Sequence, residues 1–255
     1  MSGGSDAARV RRMFGGVARR YDLLNHLLSA NLDRAWRRAA ARALPPGPLP
    51  RVLDLCGGTG DLTIAIARGR DASRVVCCDF AHPMLLAARA KLGRRGLGGR
   101  CPVLEGDALR LPFRDETFDA VSVAFGVRNL ADLGGGLREM HRVLRPGGAL
   151  VVLEFSAPPA SVLSRLYRFY LLWLLPRLGD AVSREPGAYG YLARSIAAFP
   201  GPDGLAARIR EAGFPGCSWR RRSGGIVAIH TALKARAAGA AGPSERGAGS
   251  RPGGR

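Results

Sequence analysis

Lysine is nearly absent from this 255-residue chain, although the chain is strongly basic. Only Lys91 and Lys234 among its 39 basic residues are lysines, and 20 acidic residues leave a formal net charge of +19. Such use of arginine resembles a coding bias more than selection for phosphate contacts, which would employ both residues. A basic surface nevertheless favours anionic partners, either nucleic acid or an anionic membrane face.

Cysteine is scarce, and its spacing excludes two classes of small stabilised domain. The five cysteines form no CxxC pair and no His/Cys metal spacing, so neither a disulfide framework nor a structural zinc site follows. We expect no metal. Cys77 and Cys78 are neighbours in an apolar run, which is typical of small buried residues in a reduced, intracellular protein.

Long apolar segments are also missing. The N-terminus lacks the apolar region of a signal peptide, and no run reaches the roughly 20 apolar residues that span a bilayer. We expect a cytoplasmic protein, peripheral on the inner face of the cell membrane. Leucines, aromatics and arginines mix over Ser161–Leu178, which is typical of an interfacial helix. The alternative is a helix that covers the core.

Strands and helices alternate after the breaker Pro45-Pro46-Gly47-Pro48, which ends two helical patterns over Ala8–Leu44. Strands are predicted at Arg51–Cys56, Arg74–Asp79, Pro102–Glu105, Phe118–Phe125, Ala149–Phe155, Cys217–Arg222 and Gly225–Leu233. Helices are predicted at Asp61–Arg68, Pro83–Lys91, Leu133–Leu144 and Asp203–Ala212. The pattern indicates a doubly wound α/β fold: a mostly parallel seven-stranded sheet with a C-terminal antiparallel hairpin and helices on both faces.

A glycine turn follows the first predicted strand, in the segment Asp54-Leu-Cys-Gly57-Gly58-Thr59-Gly60. Glycines let the backbone approach a ligand closely, and the helix that follows offers free N–H groups. Thr63 stands where a dinucleotide fingerprint needs its third glycine, so NAD and FAD are disfavoured. No lysine follows the glycines, which excludes a P-loop.

Acidic residues end the second and third predicted strands. Asp79 can accept both hydroxyls of a ribose, and Asp107 of Gly106-Asp107-Ala108 can meet an adenine amino group. A glycine turn and a ribose acid without a pyrophosphate cradle favour S-adenosylmethionine. The alternative is an ordinary turn in which Asp79 caps the next helix. The arrangement resembles class I S-adenosylmethionine-dependent methyltransferases.

More specific motifs lie outside this turn. They are Tyr21-Asp22-Leu-Leu-Asn25, Phe125-Gly126-Val127-Arg128-Asn129, Leu153-Glu154-Phe155-Ser156, Tyr189-Gly-Tyr191 and Gly224-Gly-Ile-Val-Ala-Ile-His230. With them, Val10 to Lys234 resembles the ubiquinone/menaquinone biosynthesis C-methyltransferase family. With the resemblance, we expect a helical lid over residues 1–46 and a methyltransferase domain over 47–234. Residues 235–255 are rich in Gly, Ala, Ser, Pro and Arg and have no apolar face, so their composition predicts a disordered basic tail. The resemblance implies methylation of a ring carbon of a prenylated quinol, demethylmenaquinol or its ubiquinone-pathway counterpart.

The resemblance also implies site residues. The cofactor contacts are Asp54, Gly58, Thr59, Gly60, Asp79, Gly106, Asp107 and Ala124, of which Ala124 replaces a serine of the family. Arg128 would lower the pKa of the quinol hydroxyl and Asn129 would orient it; alternatively, Arg128 pairs with Asp132 or Asp107 to hold a loop. Tyr21 lies over the ring or packs two helices together. Asp33 stands where a histidine is frequent.

The expected partners are a polyprenylated quinol and an anionic membrane, with a homodimer as a further possibility and no nucleic acid. Two other functions compete with this one. The same cofactor fold could methylate another small lipid or aromatic substrate. The net charge alone suggests a basic RNA-binding or RNA-methylating protein, although the chain has no Asn-Pro-Pro-Tyr motif and no aromatic strip with interleaved cations.

Overall fold

A seven-stranded sheet forms the centre of the computed structural model, which describes residues 26, 29–156, 158 and 188–236. The strands are β1 (Leu49–Leu55), β2 (Ala72–Asp79), β3 (Val103–Glu105), β4 (Phe118–Ala124), β5 (Leu144–Phe155), β6 (Cys217–Arg222) and β7 (Val227–Leu233). Their order is β3-β2-β1-β4-β5-β7-β6. The first five strands are parallel, whereas β7 is antiparallel to β5 and to β6. The predicted fold class is confirmed.

Helices cover both faces of the sheet. They are α1 (Leu32–Ala43), α2 (Asp61–Gly69), α3 (His82–Arg94), α4 (Leu133–Val143), α5 (Ala188–Ala198) and α6 (Pro202–Glu211). Adjacent residues of β1 belong to opposite faces, as the two-residue period of a strand requires: Val52 packs with α1 and α2, and Leu53 packs with α4 and α6. Two apolar cores result, one on each side of the sheet.

The predictions from the sequence differ from the structure at the start of one strand and in one helix. Strand β5 begins at Leu144 rather than Ala149, because Leu144 already pairs with Phe118 of β4. The next pair is Ala120 with Ala149, so residues 145–148 form a bulge opposite Asp119, and Gly147 in this bulge has a left-handed φ of 78°. Helix α5 was not predicted, although Leu192, Ala193 and Ile196 recur in it at helical spacing. The other predicted elements agree with the described ones to within three residues at each end.

Several predictions concern residues outside the described part of the chain. They include Tyr21, the helix over Ser161–Leu178, most of the N-terminal lid and all but the first two residues of the tail. Among the described residues, no helix is long and apolar enough to cross a membrane.

Candidate functional site

A pocket of about 450 Å³ opens at the carboxyl ends of β1, β2 and β4. Strand β1 is where the strand order reverses, since the chain proceeds from β1 to β2 on one side and later to β4 on the other. Ligands of open α/β sheets bind at such a reversal. The volume lies within the roughly 300–1,000 Å³ of small-molecule sites.

The glycine turn between β1 and α2 forms one wall of this pocket. Gly58 has a φ of 54° and Gly60 a φ of 84°, both in the left-handed region that glycine adopts without strain. A Cβ added at Gly57 would lie 2.6 Å from the Cys77 Sγ of β2. The turn therefore needs glycine for its backbone angles and for its close approach to the neighbouring strand.

Asp79 ends β2 and is held directly against this turn. Its Oδ2 accepts a hydrogen bond from the Gly58 backbone N–H at 2.9 Å, and its Oδ1 accepts one from the Ala81 N–H at 2.9 Å. Burial raises the pKa of Asp79, although these backbone donors oppose the shift. Each carboxylate oxygen retains a second lone pair, so Asp79 can also accept two hydroxyl groups from a ligand in the pocket.

The pocket is acidic and apolar, which contrasts with the chain as a whole. Asp79, Glu105 and Asp107 line it, together with apolar side chains such as Leu55, Met84 and Phe125, and no Lys or Arg occurs among the described lining residues. Carboxylates at such a wall favour a ligand that carries positive charge. The sulfonium and amino groups of S-adenosylmethionine, with its ribose and adenine, fit this donor and acceptor set.

Gly106, Asp107 and Ala124 line the same pocket, as expected for cofactor contacts. The Asp107 Oδ1 accepts a hydrogen bond from the Leu109 N–H at 2.9 Å, which fixes the loop after β3. A Cβ added at Gly106 would lie 2.9 Å from the Cys78 Sγ. Cys77 and Cys78 are both buried, as predicted, and they lie against the two glycine segments.

Asp54 and Thr59 lie behind the glycine turn rather than in the pocket lining. Asp54 is fully buried; Thr63 Oγ1 donates to its Oδ2 at 2.6 Å and Ser122 Oγ donates to its Oδ1 at 3.4 Å. Burial raises the pKa of Asp54 to about 7. The Thr59 Oγ1 accepts from Lys91 Nζ at 3.1 Å. These contacts support the turn, and direct cofactor contact by Asp54, Thr59 or Gly60 stays a prediction.

Arg128 follows β4 in a short 3-10 helix (Val127–Asn129) and is buried in an ion pair. Its Nη1 donates to Glu154 Oε1 at 2.7 Å and to the Phe125 carbonyl at 2.7 Å. Its guanidinium carbon lies 5.3 Å from the centroid of the Phe155 ring. The carboxylate partner is therefore neither Asp132 nor Asp107, the two that the sequence suggested.

Asn129 lines the pocket and is oriented by a residue of α5. Its Oδ1 accepts a hydrogen bond from the Tyr191 hydroxyl at 3.1 Å. Because the amide oxygen is the acceptor in this bond, the amide NH₂ stays available as a donor to a ligand. The sequence supplied Glu154 and Tyr191 as motif residues without a role. For Glu154 there was a signal, since a carboxylate inside the apolar strand Val151-Val-Leu-Glu154 requires a buried counter-ion.

The ends of β1 and β4 approach each other at the floor of the pocket. Cys56 and Phe125 both have positive φ, 53° and 59°, in a region that non-glycine residues rarely adopt. A Cβ added at Gly126 would lie 2.3 Å from the Cys56 Cβ. Gly126 is thus required by a close approach, and strained backbone of this kind concentrates at functional sites.

Solved structures resemble the fold at low sequence identity. A possible histamine N-methyltransferase from Thermotoga maritima superposes with a TM-score of 0.61 at 18% identity, covering 88% of this chain and 99% of the other. The [4+2]-cyclase SpnF superposes with a TM-score of 0.60 at 19% identity, covering 90% and 97%. The fold is that of class I S-adenosylmethionine-dependent methyltransferases, and the cyclase shows that this fold supports more than one reaction.

Sequence relatives are much closer. A demethylmenaquinone methyltransferase from Mycolicibacterium gilvum is 49% identical over 225 residues, covering 88% of this chain and 94% of the relative. Proteins of the same name from Mycolicibacterium paratuberculosis and Mycobacterium bovis are 48% and 46% identical, over 88% and 90% of this chain and 93% and 94% of theirs. A family model matches residues 3–234. The chain therefore belongs to the ubiE/COQ5 methyltransferase family.

Proposed function

We propose that this protein methylates a ring carbon of a prenylated quinol, converting demethylmenaquinol to menaquinol in respiratory quinone biosynthesis. The observation that carries the proposal is the acidic pocket, in which Asp79 and the oriented Asn129 face one cavity in a chain of this family. S-adenosylmethionine supplies a methyl group on a positively charged sulfur. That sulfur leaves as a neutral thioether, so the leaving group needs no acid catalyst.

Cofactor binding is assigned to the glycine turn and to the ends of β2, β3 and β4. Asp79 accepts the ribose hydroxyls while its other lone pairs stay bonded to the turn. Gly106 and Asp107 bind the adenine side, and Ala124 packs against the cofactor without the hydroxyl of the family serine. Asp54 and Thr59 hold the turn from behind.

Activation of the ring carbon is assigned to Arg128 and Asn129. Ionising the hydroxyl next to that carbon, with its proton lost to solvent, raises the electron density on the ring, and hydrogen bonds to the phenolate stabilise this state. Once the ring carbon has bonded to the methyl group, it loses its own hydrogen as a proton to solvent, which restores the aromatic ring. The Asn129 NH₂ can donate to the oxygen because Tyr191 occupies the amide oxygen. Glu154 balances the charge of Arg128, so Arg128 acts through directed N–H donation rather than through net positive charge. Tyr21 is assigned to the cover over the ring.

The substrate carries a polyprenyl tail, so we place the enzyme peripherally on the inner face of the cell membrane. The leucine-, aromatic- and arginine-rich segment Ser161–Leu178 is the first candidate for contact with lipid. We also expect a homodimer, which light scattering of the purified protein would measure.

Quinone analysis of a strain that lacks this protein tests the proposed function. We expect its quinones to be lighter by one methyl group, and expression of the protein to restore the methylated form. Unchanged quinones would contradict the proposal and favour another lipid or aromatic substrate. A tight, salt-resistant shift of RNA by the purified protein would instead favour the RNA-directed alternative.

A further inference from the structure

A basic groove of about 640 Å³ lies between α1, α2 and the C-terminal part of α3, separate from the acidic pocket. Six exposed arginines line it: Arg34, Arg38, Arg42, Arg68, Arg94 and Arg95. None of the six forms an ion pair within the part of the chain that the structure describes. They come from three separate helices, and Arg34, Arg38 and Arg42 recur every four residues, which places them on one face of α1.

Acidic groups do not neutralise this groove. Asp61 is its one acidic lining residue among those described, and its Oδ1 accepts from Lys91 Nζ at 2.8 Å. Burial acts to raise the pKa of Asp61, but the Lys91 and Arg37 charges outweigh burial and lower it. Asp61 is therefore a carboxylate already paired with a cation, and the six arginines leave the groove strongly positive.

Helix α3 connects the groove to the acidic pocket. Met84 in its first turn lines the pocket, and Arg94 at its end lines the groove. Arg94 follows Met84 by ten positions, which at about 1.5 Å per residue is a distance of roughly 15 Å along the helix. A surface bound in the groove would thus lie within one short helix of the site where the quinol ring is expected.

Exposed leucines lie on the same helices as the arginines. Leu32 of α1 is 42% exposed and Leu86 of α3 is 54% exposed. Leu86 and Arg94 are separated by about two helical turns and so share one side of α3. Leucines beside cations are typical of surfaces that rest in the headgroup region of a bilayer. RNA-binding grooves instead present aromatic rings for base stacking, and the described lining of this groove holds no Phe, Tyr or Trp.

We propose that the basic groove formed by α1, α2 and α3 is a docking surface for anionic phospholipid headgroups. This inference rests on the proposed function, because a membrane-resident substrate is what makes lipid the expected occupant. It assigns membrane contact to a surface other than Ser161–Leu178. The arginines bind the phosphates, Leu86 of α3 enters the interface, and the pocket at the other end of α3 lies within reach of a quinol head.

Vesicle co-sedimentation of matched arginine variants tests this assignment. The groove variant is Arg34→Gln/Arg38→Gln/Arg42→Gln, and the control is Arg114→Gln/Arg220→Gln/Arg222→Gln, which removes the same charge from exposed arginines outside the groove. Vesicles of phosphatidylglycerol and phosphatidylcholine are compared with phosphatidylcholine alone. We expect the groove variant to bind the anionic vesicles roughly 100-fold more weakly, since each basic residue near the surface contributes about 1 kcal/mol.

The control should retain at least a tenth of wild-type binding. A second groove variant, Arg68→Gln/Arg94→Gln/Arg95→Gln, should behave like the first, so misfolding of one variant leaves the other as evidence. Equal losses in the groove variants and the control would overturn the proposal in favour of a net-charge effect. Undiminished vesicle binding by both groove variants would overturn it too. So would groove variants that bind RNA more weakly than the wild type but bind the vesicles equally well.

Methyl transfer separates this proposal from the proposed function. With a short-chain, water-soluble demethylated quinol the groove variants should match the wild type, whereas with quinol embedded in anionic vesicles they should be slower. Absence of methyl transfer by the wild type on the soluble quinol would refute the proposed function, and the vesicle-binding results would still decide the docking surface.

Discussion

The acidic pocket and the basic groove lie close together in one molecule yet have opposite charge. Asp79, Glu105 and Asp107 line the pocket, without a cation among its described lining residues, whereas the groove is lined by six arginines that form no ion pair within the described part of the chain. The net charge of +19 has the same sign as the charge of the groove and the opposite sign to that of the pocket. Overall charge therefore predicts what the surface attracts, and only the individual residues at the strand ends predict what the site binds.

The comparison extends to how each region is held. In the pocket, Asp79 is fixed by two backbone donors and Asn129 by the Tyr191 hydroxyl, so the polar groups are oriented before a ligand arrives. The six arginines named above are exposed and form no ion pairs among the described residues. Oriented groups suit discrimination of a small molecule, and exposed cations suit a phosphate surface of variable composition.

The largest expected effect concerns the buried acid behind the pocket. Because burial raises the pKa of Asp54 to about 7, its stabilising contribution is complete below the ordinary value of 3.8 and is lost as the pH rises through about 7. Asp54→Asn removes this titration. From about pH 5 to pH 8, the unfolding free energy of the wild type should therefore fall by about 3 kcal/mol more than that of the variant. Urea unfolding at both pH values measures this, and parallel curves would contradict it.

The substitution Asp79→Asn tests the cofactor site of the acidic pocket. The amide offers a single acceptor oxygen and turns its NH₂ toward the Gly58 or Ala81 N–H, where two donors then face each other. We expect S-adenosylmethionine to bind roughly 100-fold more weakly by calorimetry, a loss of about 2–3 kcal/mol. Asp71→Asn, at an exposed position, should bind like wild type. Equal affinities of Asp79→Asn and wild type would remove Asp79 from the cofactor site.

Gly126→Ala tests the close approach of β1 and β4. The new methyl group would collide with Cys56, whose own backbone is already in the left-handed region, so the floor of the pocket must shift. Overpacking of this kind costs about 1–3 kcal/mol. We expect a lower melting temperature and about tenfold weaker cofactor binding. Gly69→Ala, where an added Cβ meets nothing within 4 Å, is the matched control and should change neither.

The smallest expected effect is a gain. Ala124 lines the pocket at the position where the family carries a serine. Ala124→Ser would supply a hydroxyl to the cofactor, worth about 1 kcal/mol, so affinity for S-adenosylmethionine should rise about fivefold in the same titration. An unchanged or weaker affinity would show that Ala124 does not face the cofactor.

The sequence predicted the fold because the alternation of buried strands and helices is local information. Asp79 and the glycine turn were predictable for the same reason, since a strand end, a turn and a helix start follow one another in the chain. The early start of β5 was not, because the pairing of Leu144 with Phe118 lies beyond the bulge at Pro146-Gly147-Gly148 and depends on β4, a separate segment of the chain.

Contacts between distant segments account for the rest. Arg128, just after β4, forms an ion pair with Glu154 of β5. Tyr191 of α5 donates a hydrogen bond to Asn129, which is 62 residues away in the chain. The groove is lined by arginines of α1, of α2 and of the end of α3, which are far apart in the sequence and come together only in the folded chain. The sequence indicates that buried charged and polar residues need partners, but which residues pair is decided by the contacts that form in the folded chain.

Methyl transfer by the purified protein is the decisive measurement for ring methylation at the acidic pocket. Demethylmenaquinone is reduced to the quinol in detergent and incubated with S-adenosylmethionine that carries a deuterated methyl group. The quinone is then analysed by mass spectrometry. We expect one deuterated methyl group on a ring carbon, with transfer greatly slowed in Asp79→Asn. A quinone that stays unlabelled, or a label found on an oxygen instead of a ring carbon, would contradict it.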